Sequence, residues 1–277
     1  MKNNTEQHSS HAWANVAQSP WMQGPVLGAS VMALVTPLQK WTNCSLKGDK
    51  MSFRNPMSGA LAYSASAVPG YATTFAFKAL LQKSPEETSQ QYDLLTSFAA
   101  GGLSGLVCTP FEALAQNKQL TNNPSSKGTF QKMHHHHGYQ AFFQGSASIM
   151  LREGLWSTAY MTAIPMMSSA LQERGLKKPQ AELLALLTVA GTYGLASSPL
   201  NQLRFKKQQG LTEPTLGKSY LGHANDIFNQ EPEARYTRRV GFFFKACLPR
   251  TVTTMVAAGL MVKGTEYYNH TVEYLKK

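Results

Sequence analysis

Three short segments constrain this chain more than anything else in it: TPLQ at 36–39, TPFE at 109–112 and SPLN at 198–201. Each is a Ser or Thr, a proline, a large apolar residue and a polar one. Each sits in a run that otherwise reads as apolar helix. Proline removes a backbone hydrogen bond and clashes with the preceding turn, so it kinks or ends a helix. The flanks repeat too. GGLSGLVCTP (101–110) matches AGTYGLASSP (190–199), with Gly102 and Gly105 standing where Gly191 and Gly194 stand. LGASVMALVTP is a looser first copy with Gly28. Gln119 and Gln208 follow their prolines at the same distance. Second segments at 57–78, 143–161 and 244–262 align without gaps on Gly59, Gly145 and Ala246, which puts Ala72, Thr158 and Gly259 in register. Small residues at such positions let helices pack closely. The unit is a proline-kinked span, a polar connector and a second span, three times over.

The charges avoid these units. The net charge is +11, yet only 15% of residues are charged, against about 25% in ordinary soluble domains. Residues 12–39, 55–77, 94–111, 183–203 and 251–262 contain no Asp, Glu, Lys or Arg. Between Gly138 and Gln172 the only charges are Arg152 and Glu153. Several blocks approach the roughly 20 residues that cross about 30 Å of hydrocarbon as helix. Mean hydropathy is only −0.26, because the blocks are rich in Ser, Thr, Gly and Gln. Helices that line a polar cavity tolerate this, since one face alone meets lipid. The reading is an all-α membrane protein of six transmembrane helices in three repeats (19–83, 94–170 and 181–270), after a polar tail at 1–18. That tail reads neither as a secretory signal nor as a mitochondrial presequence, so any targeting information is expected within the chain. Cys44, Cys108 and Cys247 are odd in number and lack metal spacing. HHHH at 134–137 reads as a polar loop or helix start rather than a metal site.

Three proline units in register, each with a matching second span, resemble the mitochondrial carrier family over nearly the whole chain. The resemblance implies a pseudo-threefold bundle with short matrix-side helices in the connectors. Repeat one has lost most of its connector. The resemblance also implies that the acid of one unit pairs with the base of the next to close the matrix side. The gate positions here are Pro37, Gln39 and Thr42; Pro110, Glu112 and Ala115; Pro199, Asn201 and Arg204. Of the expected pairs, only Glu112–Arg204 is ionic. Asn201–Thr42 could hydrogen bond, and Gln39–Ala115 has no polar pair. A weakened closed gate is the expectation. The opposite gate, at Ala79/Gln82, Pro165/Ser168 and Glu266/Asn269, keeps one carboxylate.

Arg152 and Glu153 sit mid-span, where ionisable groups are expensive and mark functional sites. In the family alignment they fall on the substrate contact point of the fourth span, with Ser66 and Thr253 as the neutral points of the second and sixth. Lys78, Trp156, Tyr160 and Arg250 stand near. An Arg–acid pair there resembles carriers of amino-acid-like, carnitine-like or sulfonium substrates: Arg grips a carboxylate in two-pronged fashion, and Glu faces the cation. A nucleotide carrier competes, because TTFAFK (73–78) resembles the second span of ADP/ATP carriers and excess positive charge suits a polyanion. RFKKQQ (204–209) lacks the arginine and methionine run of those exchangers. Divergent nucleotide carriers delivered by intracellular bacteria into host mitochondria are a variant of this reading.

A non-transporting adaptor with the carrier fold is the third reading. No catalytic set points to an enzyme, and no cofactor is implied. The implied partners are a small-molecule substrate and the lipid bilayer, including cardiolipin, with no nucleic acid and a monomeric state. The implied location is the mitochondrial inner membrane, a host cell's if the chain is bacterial, with the outer membrane the alternative.

Overall fold

The computed structural model describes residues 19–50, 55–81, 89–121, 125–214 and 217–276. The tail at 1–18 and Gln82 lie outside the described residues. Every regular element within them is helical: α1 (Pro20–Lys47), α2 (Ala60–Leu81), α3 (Gln90–Thr121), α4 (Ser126–His137), α5 (Ser146–Thr158), α6 (Ile164–Glu173), α7 (Lys178–Ala196), α8 (Ser198–Gln208), α9 (Tyr220–Phe228), α10 (Tyr236–Gly241) and α11 (Cys247–Lys276). A π-helical turn, Ala159–Ala163, joins α5 to α6. Pro165 lies just after it and has no N–H to give to a carbonyl one turn back, so a regular ladder fails there. Helices α7 and α8 bend by 48° at the break before Pro199. Pro37 and Pro110 sit inside α1 and α3, which remain continuous.

The rods close into a ring. α1 packs on α2, α2 on α3, α3 on α5, α6 on α7, α7 on α11, and α11 back on α1. The tightest approach is α3 on α5. A Cβ built on Gly101 would lie 2.3 Å from the Glu153 carbonyl, and one on Gly105 would lie 2.9 Å from that of Ile149. The close pair is therefore Gly101 and Gly105, one helical turn apart, rather than the Gly102 and Gly105 of the repeat alignment. Gly102 has room.

Three positions aligned from the sequence share a backbone conformation. Gly59, Gly145 and Ala246, aligned from sequence alone, have φ of +85°, +86° and +63°, and each precedes a second span. The equivalent glutamines reach back to these turns. Gln119 donates to the Ser58 carbonyl at 2.9 Å, and Gln208 to the Gln144 carbonyl at 3.0 Å. Each ties its own repeat to the one before. The equivalent residue in the first repeat is Leu46, buried and without such a donor.

The connectors differ as the sequence suggested. The second holds α4, with Ser125 accepting from Gly128 N at its start. HHHH forms the end of this helix instead of a loop or a helix start, and Gly138 stops it. The third holds α9 and α10. The bundle buries charge and exposes leucine: Leu34, Leu61, Leu80, Leu95, Leu183 and Leu248 are exposed, while Glu112, Arg152, Arg204 and Arg250 are buried. This inversion is why, among the described residues, only α3 is apolar enough to cross a bilayer by composition, joined by the bent pair α7 and α8.

Candidate functional site

A cavity of about 130 Å³ lies within the ring. Its lining runs from Gln39, Glu112 and Arg204 at the proline end to Thr74, Met161 and Met261 at the other. The first end is the floor. The lining brings together Ser66, Arg152, Glu153, Trp156, Tyr160, Arg250 and Thr253 from α2, α5, the π turn and α11. Seven of the eight residues expected at the substrate site therefore share one space. Lys78 does not. It pairs with Asp93 at 3.2 Å and donates to Ser97 at 2.8 Å, bracing α2 against α3. Thr162 of the π turn donates to the same Asp93 at 3.0 Å.

The floor is ionic at its centre. Arg204 Nη1 donates to Glu112 Oε2 at 3.0 Å, the one ion pair expected from the sequence. Glu112 holds a second arginine that the sequence did not announce: Arg152 Nη2 donates to its Oε1 at 2.5 Å. Arg152 also donates to Glu153 Oε1, from Nε at 2.8 Å and from Nη2 at 2.6 Å. Arg152 is thus met by two carboxylates instead of being open to a ligand. Its bond to Glu112 follows from the close approach of α3 and α5, and the glycine stripe was the only sequence signal for it.

The rest of the floor is neutral. Thr42 does not meet Asn201; its hydroxyl donates to the Leu38 carbonyl at 3.0 Å and lies 3.5 Å from that of Thr253. Asn43, unremarked in the sequence, takes the central role: it donates to Gln119 Oε1 at 2.6 Å and accepts from Arg204 Nη2 at 3.4 Å. Gln116 and Asn117 donate to the carbonyls of Phe205 and Gln208 at 3.0 and 2.8 Å. The expected weakness is therefore partly made good by amides and by Arg152.

Arg250 is the cation left over. It is buried, lies against the Tyr193 ring, and donates to the Tyr193 hydroxyl at 3.4 Å. No carboxylate pairs with it among the described residues, and its buried Nε has no partner. Beside it Trp156 stacks on Tyr160 and tilts against Tyr193, with centroids 5.7 and 5.0 Å apart. Tyr160 also packs against the cluster of Val31, Val35 and Met261. No group of three or more potential metal ligands occurs among the described residues.

The arrangement can receive an anionic group at Arg250, a cationic group at the partly exposed Glu153, and a flat or apolar body on the aromatic side chains. It offers no nucleophile set beside a base. No curated protein matches the chain. Residues 86–175, from just before α3 to just after α6, match the family model described as mitochondrial carrier protein, and that match supports membership of the mitochondrial carrier family.

Proposed function

We propose that this carrier moves a small charged metabolite across a membrane by alternating access, with the three repeats forming six spans about a pseudo-threefold axis. The observation that carries the reading is the inversion of polarity: three arginines and two glutamates line a closed ring whose outer face is leucine-rich. Buried ionisable groups on the inner face of apolar-jacketed helices mark a solute path. The floor at Glu112 and Arg204 is the closed gate of this state.

The substrate class is an amino-acid-like or carnitine-like zwitterion. Arg250 takes its carboxylate and Glu153 faces its cation, with Trp156 and Tyr160 along its body and Ser66 and Thr253 as neutral contacts. A nucleotide is the second reading. What favours it is the pairing of Arg250 with the Trp156–Tyr160 stack, which suits a phosphate and a base. The setting is the mitochondrial inner membrane, with the protein as a monomer among lipids that include cardiolipin.

An uptake screen tests this. Proteoliposomes holding the purified full chain are offered zwitterionic amino acids, carnitine, nucleotides and simple carboxylates. The reading expects saturable uptake of a zwitterion, lost in Arg250→Gln. Uptake of nucleotides alone would move the assignment to the second reading. No uptake of any solute would leave a membrane adaptor.

A further inference from the structure

We infer that Arg152 is a positioning residue of the floor, holding Glu112 charged and paired while the floor opens; the inference rests on the alternating-access reading above. Glu112 is shared by two arginines that stand on opposite sides of any opening. Arg152 belongs to α5, which meets α3 at Gly101 and Gly105 with no space for a methyl group. Arg204 belongs to α8, in the next repeat, and reaches Glu112 across the floor. Opening the floor separates α3 from α8. It does not separate α3 from α5. Glu112 then gives up Arg204 and keeps Arg152.

The consequence is electrostatic. A buried carboxylate stripped of its only cation is strongly disfavoured, whereas one that retains a second guanidinium is not. Glu153 fixes the arrangement, since its bonds to Nε and Nη2 hold the Arg152 fork aimed at Glu112. The group that opening leaves behind is Arg204. Its other partner is the neutral Asn43, and its Nε is buried with none. With Arg250, the opened cavity then presents two arginines without carboxylates. The ligand's carboxylate, taken by Arg250, then also takes the place of Glu112 on Arg204. Arg152 serves the gate, and Arg204 and Arg250 serve the ligand.

The test reads the floor directly and needs no known substrate. Cys108 lies one helical turn before Glu112 and lines the cavity. With Cys44→Ser and Cys247→Ser it becomes the single thiol of the full chain. A membrane-impermeant methanethiosulfonate reagent is applied to either side of vesicles holding this parent. Its reaction rate from the floor side reports how often the floor opens. Arg152→Gln is expected to slow that reaction at least about tenfold, because opening now strands Glu112. Arg152→Lys should stay within about threefold of the parent, since a cation remains. Glu112→Gln and Glu112→Gln/Arg152→Gln should react at equal rates, because no charge is left to strand. That pair decides the matter even if Arg152→Gln alone does not fold. An unchanged or faster rate in Arg152→Gln would overturn the inference alone, as would a slower rate in the double variant than in Glu112→Gln. A parent that reacts only from the mouth side would overturn alternating access, and the inference with it.

Discussion

Ala246 does the work of a glycine. It stands at φ +63° where its two repeat equivalents are Gly59 and Gly145. A left-handed conformation costs an L-residue roughly 1–2 kcal/mol. Ala246→Gly should therefore stabilise the chain by about 1 kcal/mol, read as a rise in the thermal midpoint in detergent. Gly145→Ala should lower it by a similar amount or more, because a Cβ there also presses on Gln208 at 3.3 Å. These three positions were legible in the sequence, since repeats preserve what the backbone requires. The side-chain partners were not. Arg152 reads as an isolated mid-span charge until α3 and α5 are packed together, and only then does Glu112 come within 2.5 Å. Arg250 reads as one more charge near a contact point until it is found unpaired. Lys78 looked like a cavity residue because it closes a span, and it was lost to Asp93, on a helix that the sequence placed as starting later, at 94, than its observed Gln90.

At the scale of elements, the connectors carry a pH response. His223 is buried on α9, and burial first, then Lys207, Lys206 and Lys218, hold its pKa below the usual histidine value, with Asp226 opposing. The unfolded chain therefore takes up the proton more readily than the folded one. The contribution of His223 is complete above the ordinary histidine pKa and is lost as pH falls through it toward the depressed folded value. Thermal scans at pH 7.5 and 5.5 should show a larger acid-side drop in the wild type than in His223→Gln; equal drops would refute this. The pairing of α3 with α5 is the other element-level test. Gly101→Val must push its side chain into the Glu153 backbone, so it should destabilise by roughly 1–3 kcal/mol and weaken the Arg152–Glu112 contact. That α3 pairs Gly101 with Gly105 was hidden by the alignment, which matched Gly102 in place of Gly101. Spacing alone does not say which side of a helix a partner occupies.

For the whole molecule, the seams between the aligned segments are uneven in a way that bears on mechanism. Two seams of the floor carry a glutamine reaching back to the previous repeat, and one of these also carries the Glu112–Arg204 pair. The third seam, between α11 and α1, has Leu46 and the long Thr42–Thr253 contact. Amide exchange should therefore rise first around residues 42–48 and 245–250, and later around 115–119 and 204–208. The sequence announced the equivalence of Gly59, Gly145 and Ala246 and one ion pair, because these rest on periodic residues. It announced that only one gate pair is ionic, but not that Asn43, Gln119, Gln208 and Arg152 would reinforce two seams and leave the third to Leu46. The central claim is that the arginine- and glutamate-bearing cavity within the ring is a solute path. Initial-rate uptake of a labelled zwitterion by proteoliposomes, compared between wild type and Arg250→Gln, tests it most directly. The account predicts saturable uptake in the wild type and a loss of about tenfold or more in the variant, roughly 1.4 kcal/mol of binding or greater. Saturable uptake of equal rate in both, or no uptake of any offered solute by the wild type, would contradict it.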